Sequence, residues 1–340
     1  MPASADPHLA QLDTDERWRA LTTLPAKLSL YRDEVSFRES WRIAQEVLGT
    51  QVLTVLQQTT LLTLRPEAIL ARKADDCLEF LRRHDFAAIH AERLRYDRNS
   101  IRDLWRYQWN VAQLDSIEVS DLVHYRAPAL MLVLRDLHPA PGTPASLRLT
   151  AVKGTSDPTG RTPRHLRSVL GAPNRVLVVI HAPDEPLDVV RELGVLFDRA
   201  ALRRVYATMC QEGADTTPRS EIDDLYRSTE RYSLRVDKAI DALRRELRVR
   251  ASIADPGRLA LLGRVDDRLS EAEHGGHLDW RGWVEDLDNC GLAYDSWPST
   301  VVASHHVEHT LPGVRPLIPE TGRRGWLAGD GLLLPRQVIR

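Results

Sequence analysis

His181 is the residue of this chain whose setting most invites chemistry. It closes the run Val176, Leu177, Val178, Val179, Ile180, which is apolar at every position and so predicts a strand buried on both faces of a sheet. Asp184, Glu185 and Pro186 follow and open a helix through Val189, Val190, Leu193 and Leu196, with acids and proline in its first turn, as helix starts prefer. A histidine between a core strand and a helix start is held rigidly where a ligand can reach it. Upstream, the segment GTSDPTGRTPRHLR (residues 154–167) sets Arg161, Arg164 and Arg167 three apart beside a turn rich in hydroxyls. Planar guanidinium groups and exposed backbone N–H groups are what phosphate oxygens bind. Taken alone, the arginines also describe a solvated basic face, and the histidine a packed or capping one. Within one stretch, the two signals point to phosphohistidine chemistry.

A second cluster of reactive side chains lies at Ser304-His305-His306-Val307-Glu308-His309. Three imidazoles and a carboxylate are competent Zn²⁺ ligands, and on a helix His305 and His309 would share a face. Pro312 and Gly313 nearby argue against that helix, so a surface or turn cluster is the competing reading. No metal ligand is assigned.

Bulk properties narrow the classes. The chain has 340 residues, is 43% hydrophobic and carries a formal net charge of −2. That length suits two domains, or one with large extensions, and the charge gives no general pull toward nucleic acid or an anionic membrane. Basic charge is nearly all arginine, the lysines being Lys27, Lys73, Lys153 and Lys238. Cys77, Cys210 and Cys290 are far apart with no metal or redox spacing, which predicts free thiols in a reducing compartment. The N-terminus MPASADPHLAQLDTDER has no apolar export core, and no apolar run is long enough to span a bilayer. The expectation is a cytoplasmic protein with no membrane or nucleic-acid partner.

The elements that must position His181 alternate. Residues 1–31 read as a loosely docked arm anchored by Trp18, Leu21 and Leu24. A helix follows from Asp33 to Leu48, stopped by Gly49. Strands are predicted at Thr60–Leu64, Phe86–Leu94, Pro128–Leu134 and Val176–Ile180. Between them come helices at Glu67–His84, at Asn99–Val123 in two pieces, and at Ala145–Lys153; HPAPGTP is a loop. Neither a Walker pattern nor GxGxxG is present, and the order fits a four-stranded, ferredoxin-like sheet with helices on one face. Gly213–Pro218 reads as a linker. Arg219–Arg250 reads as one long helix with a heptad-like seam from Ile222 to Leu243. Asp255-Pro256 caps another helix through Leu269, and from His274 the sequence looks irregular.

LLTLRPEAI, GTSDP with HLR, and VVIHAPDEPLDVVRELGVLFDRAALRRVY resemble, in order and spacing, the nucleoside diphosphate kinase family. The resemblance spans roughly residues 59–206. It implies an α+β fold with a ferredoxin-like βαββαβ core, preceded by an arm and helix (1–58) and followed by a largely helical extension (210–340), the kinase-like domain being 59–209. It implies a phosphotransferase that moves a phosphoryl group from ATP or another nucleoside triphosphate, with Mg²⁺, through a phosphohistidine to a nucleotide or specialised acceptor. A homo-oligomer is compatible with it. His181 falls on the family's phosphorylated histidine and Glu192 on the glutamate that orients it. Arg167 falls on a phosphate-binding arginine and Ser156 on a phosphate-binding threonine. Trp105, with Tyr107 as second candidate, falls where a ring stacks on the base. The chain departs from the pattern at Arg65 (a lysine in the family), at Thr150 (an arginine, its charge replaceable by Lys153 or Arg164), at Val178 (the ribose-reading asparagine) and at Pro183 (a serine). Those departures sustain an alternative: a catalytically degenerate nucleotide-binding or scaffolding protein.

Overall fold

A computed structural model of the chain describes residues 14–139, 142–211, 218–318 and 321–335. It is a mixed α+β structure built on one small antiparallel sheet. The strands are β1 (Thr59–Leu64), β2 (Phe86–Leu94), β3 (Ala129–Asp136) and β4 (Ile180–His181). Their order across the sheet is β2-β3-β1-β4, and every neighbouring pair is antiparallel.

Helices cover both faces of the sheet, not the one face that the sequence suggested. All six residues of β1 are buried, so neither face can be left in water. Leu62, Leu64, Leu130, Leu132 and Leu134 pack with Leu243, Val265 and Trp283 of the C-terminal helices. On the opposite face, Leu61, Met131 and Val133 pack with Phe37 and Ile43 of the helix Val35–Leu48 and with Val189 and Leu193 of the helix Pro186–Leu196. Antiparallel pairing of Thr63 with His181 sets the histidine on this second face, because paired residues point the same way.

The expected strand Val176–Ile180 shrinks to Ile180–His181. Val176, Leu177 and Val179 are still buried, but their backbone groups are satisfied outside a ladder. Asn174 Oδ1 accepts from the N–H groups of Val176 (2.9 Å) and Leu177 (2.8 Å). Val179 has φ +60°, and Ile180 N–H bonds back to the Val178 carbonyl at 2.7 Å, a γ-turn that a β-branched residue adopts only under strain. Apolar patterning reported burial correctly and could not report that turn.

Other differences follow the same logic. The segment Glu67–His84 is two helices, Pro66–Leu70 and Ala74–Arg83, separated at Arg72, which has φ +59°. Arg72 also explains why the long helix breaks into Arg219–Arg227 and Val236–Ala251. Its guanidinium donates to the carbonyls of Tyr226 (3.0 Å) and Thr229 (2.5 Å), and Tyr232 N–H bonds to Leu70 O at 3.0 Å. The seam residues dock on this chain's own core. The tail after His274 is ordered, with helices at Trp280–Asn289, Trp297–His306 and Arg323–Ala328. Most of the expected linker, residues 213–217, and residues 140–141 of the HPAPGTP loop lie outside the described residues. The N-terminal arm is integral from residue 14, since Lys27 and Tyr31 are buried in the helix Pro25–Tyr31.

Candidate functional site

His181 Nε2 lies 2.9 Å from Glu192 Oε1. The γ-turn brings the imidazole to the edge of the sheet, and the helix Pro186–Leu196 brings the carboxylate. With Nε2–H donating to Glu192, the ring is the tautomer whose Nδ1 keeps its lone pair, and no hydrogen bond engages Nδ1 among the described residues. Trp105 meets the imidazole edge-on, with ring centroids 5.4 Å apart, and stacks on Trp109 at 5.0 Å. Behind them, burial, then Arg65, hold the His124 imidazole well below its ordinary pKa.

The turn at Val179 is held by Glu67. Its Oε1 accepts from Val179 N–H at 3.0 Å and lies 3.0 Å from Arg65 Nε. Burial pushes the Glu67 carboxyl up, and Arg65 only partly opposes it. Arg65 also donates to Val176 O at 3.1 Å, and its guanidinium carbon lies 5.7 Å from the Trp105 ring centre. Arg65 thus belongs to the site wall, but its charge is committed to Glu67.

These groups open on a cavity of about 650 Å³. Ser156, Arg65, Trp105, Arg167, His181 and Glu192 all line it. Arg164 does not; it is exposed on the outer side of its loop. Arg167 is buried, and its guanidinium donates to Gly154 O (2.6 Å) and Ile180 O (3.0 Å), tying the hydroxyl-rich loop to β4. Burial, then Arg161 and Arg65, lower its pKa to about 9. Arg161 staples the same loop through the carbonyls of Thr155, Ser156 and Ala172. Two of the three arginines that looked like phosphate ligands therefore build the loop. Tyr107, the second stacking candidate, is buried with its hydroxyl on Glu34 Oε1 at 2.8 Å.

Past His181 the chain is tethered by ions. Lys153 Nζ donates to Ala182 O (2.8 Å) and Asp184 Oδ1 (3.1 Å), and Thr150 Oγ1 reaches the same carboxylate at 3.2 Å. Burial alone would raise Asp184, but Lys153 and Lys27 outweigh it and hold the carboxyl below its usual range. Val178 faces the cavity as an apolar side chain. Sequence reasoning missed the largest of these clusters. Glu185, fully buried, accepts from Thr22 Oγ1 (2.7 Å), Thr23 N–H (2.9 Å), Lys27 Nζ (2.8 Å) and Trp326 Nε1 (2.9 Å). Lys27 also reaches Asp188 Oδ2 at 2.9 Å. Only the rarity of lysine in this chain marked Lys27 out.

The histidine cluster near the end does not assemble. The helix stops at His306, so His305 and His309 share no face. His306 Nδ1 bonds to Gly276 O at 3.0 Å, while His309 Nδ1 bonds to Ser116 Oγ at 3.0 Å in the cavity wall. Among the described residues no three His, Cys, Asp or Glu side chains are placed to hold one metal ion. The cavity carboxylates Asp184, Asp188 and Glu192 are engaged by lysine, tyrosine or histidine. They make no Mg²⁺ site by themselves; such an ion fits only if substrate phosphates supply its oxygens.

Fold and site together define a mixed α+β protein with a carboxylate-paired histidine in the wall of a cavity whose lining includes several basic side chains. No family model and no curated protein matches the chain. Among solved structures it is similar to the Aquifex aeolicus nucleoside diphosphate kinase in its orthorhombic C222 form, with 16% identity over 42% of this chain and 96% of that one, at a TM-score of 0.34. A superposition of that quality carries no weight for the site, which stands on its own geometry. No helix among the described residues is long and apolar enough to cross a membrane.

Proposed function

We propose that this protein is a phosphotransferase in which His181 accepts the terminal phosphoryl group of a nucleoside triphosphate and passes it on. The observation that carries this is the 2.9 Å bond from His181 Nε2 to Glu192, which leaves Nδ1 as the free nucleophile at the cavity wall. Its lone pair attacks the γ-phosphorus, and the bond to the bridging oxygen breaks and releases a nucleoside diphosphate. Glu192 balances the positive charge gained by the ring. An anionic oxygen of the acceptor then attacks the same phosphorus, the P–N bond breaks and neutral His181 returns. Trp105 is suited to stack on a base and Ser156 to face the phosphates, with Arg167 holding the loop that carries Ser156; Mg²⁺ bound to the nucleotide would spread its charge. The antiparallel order β2-β3-β1-β4 supports a ferredoxin-like core of the nucleoside diphosphate kinase type.

A non-catalytic nucleotide-binding role is favoured by a different observation: Arg65 and Arg167 are committed to protein partners, and Val178 cannot hydrogen-bond a ribose. Incubation with γ-labelled ATP and Mg²⁺ separates the two readings. Phosphotransfer requires an acid-labile, base-stable protein phosphate that His181→Asn abolishes. Binding of ATP without any such label would leave the non-catalytic role.

A further inference from the structure

The buried cations around the cavity are engaged by protein groups, although Arg167 keeps an Nε without a partner among the described residues. Lys27 is held by Glu185 and Asp188, Arg65 by Glu67, Lys153 by Asp184, Arg167 by two carbonyls, and Arg191 by Glu34 at 2.7 and 3.0 Å. A cation already paired this way has little left to offer a ligand. Two lining arginines differ. Arg175 and Arg323 both face the cavity, both are exposed, and neither makes a hydrogen bond or ion pair to another described residue.

Arg323 belongs to the C-terminal extension, and the segment carrying it is firmly fixed. Residues 309–318 run along the chain before the helix Leu114–Tyr125. Thr310 bridges to Ala112, Leu311 N–H bonds to Val111 O at 2.7 Å, and Leu317 N–H bonds to Tyr107 O at 3.1 Å. Beyond them, Thr23 Oγ1 donates to Gly322 O at 2.9 Å, and Trp326 Nε1 donates to Glu185 Oε1. Gly322 has φ +75°, and a Cβ there would overlap the Glu185 carboxylate. Thr310, Ile318 and Thr321 of this strap line the cavity, and Arg323 follows immediately after its close approach to Glu185 at Gly322. A guanidinium that the fold places at a cavity wall and leaves unpaired is a ready fork for phosphate oxygens.

We propose that Arg323 is a phosphate-recognition residue of the cavity, so that the C-terminal strap, outside the kinase-like core, takes a direct part in binding the substrate. Its choice of ligand rests on the phosphotransfer reading, but its own evidence does not involve His181. The cavity, about 650 Å³, has room for a small phosphorylated molecule as the occupant.

Inorganic pyrophosphate is the probe, titrated calorimetrically into the full chain without ATP. Arg323→Gln removes one charged donor pair and should weaken binding roughly tenfold, with the melting temperature unchanged because the side chain makes no hydrogen bond or ion pair to another described residue. Arg164→Gln, an exposed arginine outside the cavity, should bind like the parent. Equal affinity for Arg323→Gln and Arg164→Gln overturns the proposal. So does a loss confined to Arg175→Gln, or a parent protein that does not bind pyrophosphate. If Arg323→Gln weakens binding while His181 never labels, the phosphotransfer reading fails and the subsite stands.

Discussion

Replacing Glu185 by glutamine tests whether the two ends of the chain are held at the site by one carboxylate. The substitution keeps shape and size but turns one oxygen into an NH₂ group. Oε1 accepts from Thr23 N–H and Trp326 Nε1, each at 2.9 Å; Oε2 accepts from Thr22 Oγ1 at 2.7 Å and Lys27 Nζ at 2.8 Å. Whichever oxygen becomes nitrogen, at least two donors then face a donor, Oε1 also receiving the Thr23 hydroxyl at 3.3 Å. A hydroxyl can turn away, whereas an indole N–H, a backbone N–H and an ammonium cannot. Each buried donor left unsatisfied costs about 1–3 kcal/mol. Lys27 keeps its ion pair with Asp188 and the more distant Asp184 charge, and breaking a buried ion pair costs about 3–5 kcal/mol. These terms overlap, so the expected loss is about 2–5 kcal/mol in urea unfolding. Trypsin should also cut at Arg323 and Arg324 while the core stays intact, and the C-terminal peptide should be found by mass spectrometry. A variant within about 0.5 kcal/mol of the parent, with an unchanged digestion pattern, would falsify the idea that Glu185 pins the strap.

Two further perturbations have signs fixed by the structure. At Val179, with φ +60°, glycine should be more stable than alanine by about 1 kcal/mol, because an L-residue in the left-handed region costs about 1–2 kcal/mol; in an ordinary strand alanine is the better residue, so alanine outranking glycine in thermal unfolding would remove the strained turn. Acid should weaken the fold before carboxylates titrate. Burial, then His306, lowers His305 to about 4, and burial, then Arg65, lowers His124 well below its ordinary value. Both rings bind protons more readily when unfolded, so stability is fully present above the unfolded value of about 6.5 and is lost as pH falls toward 4. Glu67, raised by burial, pulls the opposite way as it protonates. Unfolding free energy should therefore fall between pH 7 and 5, and His305→Gln should flatten that slope; a flat profile in the parent contradicts the burial of these rings.

Periodicity made much of the scaffold legible. Strands β1 to β3, the helix Val35–Leu48 and the helix Pro186–Leu196 all lie where apolar spacing and caps put them. His181 was marked by its place between a strand and the helix that follows it, whereas Glu192, eleven residues further on and bonded to it here, came only with the family resemblance. The misreadings came from contacts distant in sequence. Arg72 breaks a helix more than 150 positions away by taking the carbonyl of Thr229, and nothing in the seam from Ile222 to Leu243 announces that. The arginines at 161 and 167 had the right type and spacing for phosphate, yet the chain spent them on its own carbonyls, a choice that depends on where the loop folds back. Lys27 and Trp326 lie 299 positions apart and meet on Glu185; composition cannot reveal such a meeting.

The same geometry says why His181 needs its neighbours in this arrangement. A continuous strand would carry the chain straight past the sheet edge and alternate its side chains across two packed faces. The γ-turn at Val179 breaks that alternation one residue before the short pairing with β1. A strained turn persists only where surrounding contacts over-determine it. Here Glu67 holds the Val179 N–H and Arg65 N–H holds the Val179 carbonyl at 3.0 Å, so both polar groups of the strained residue are pinned by the loop that follows β1. Arg167 fixes the next carbonyl, that of Ile180. Charges that first looked like ligands for phosphate are therefore spent on aiming the imidazole. Of the lining arginines that make no hydrogen bond or ion pair to another described residue, one, Arg323, lies in the extension, which is why the proposed phosphate contact is assigned to it.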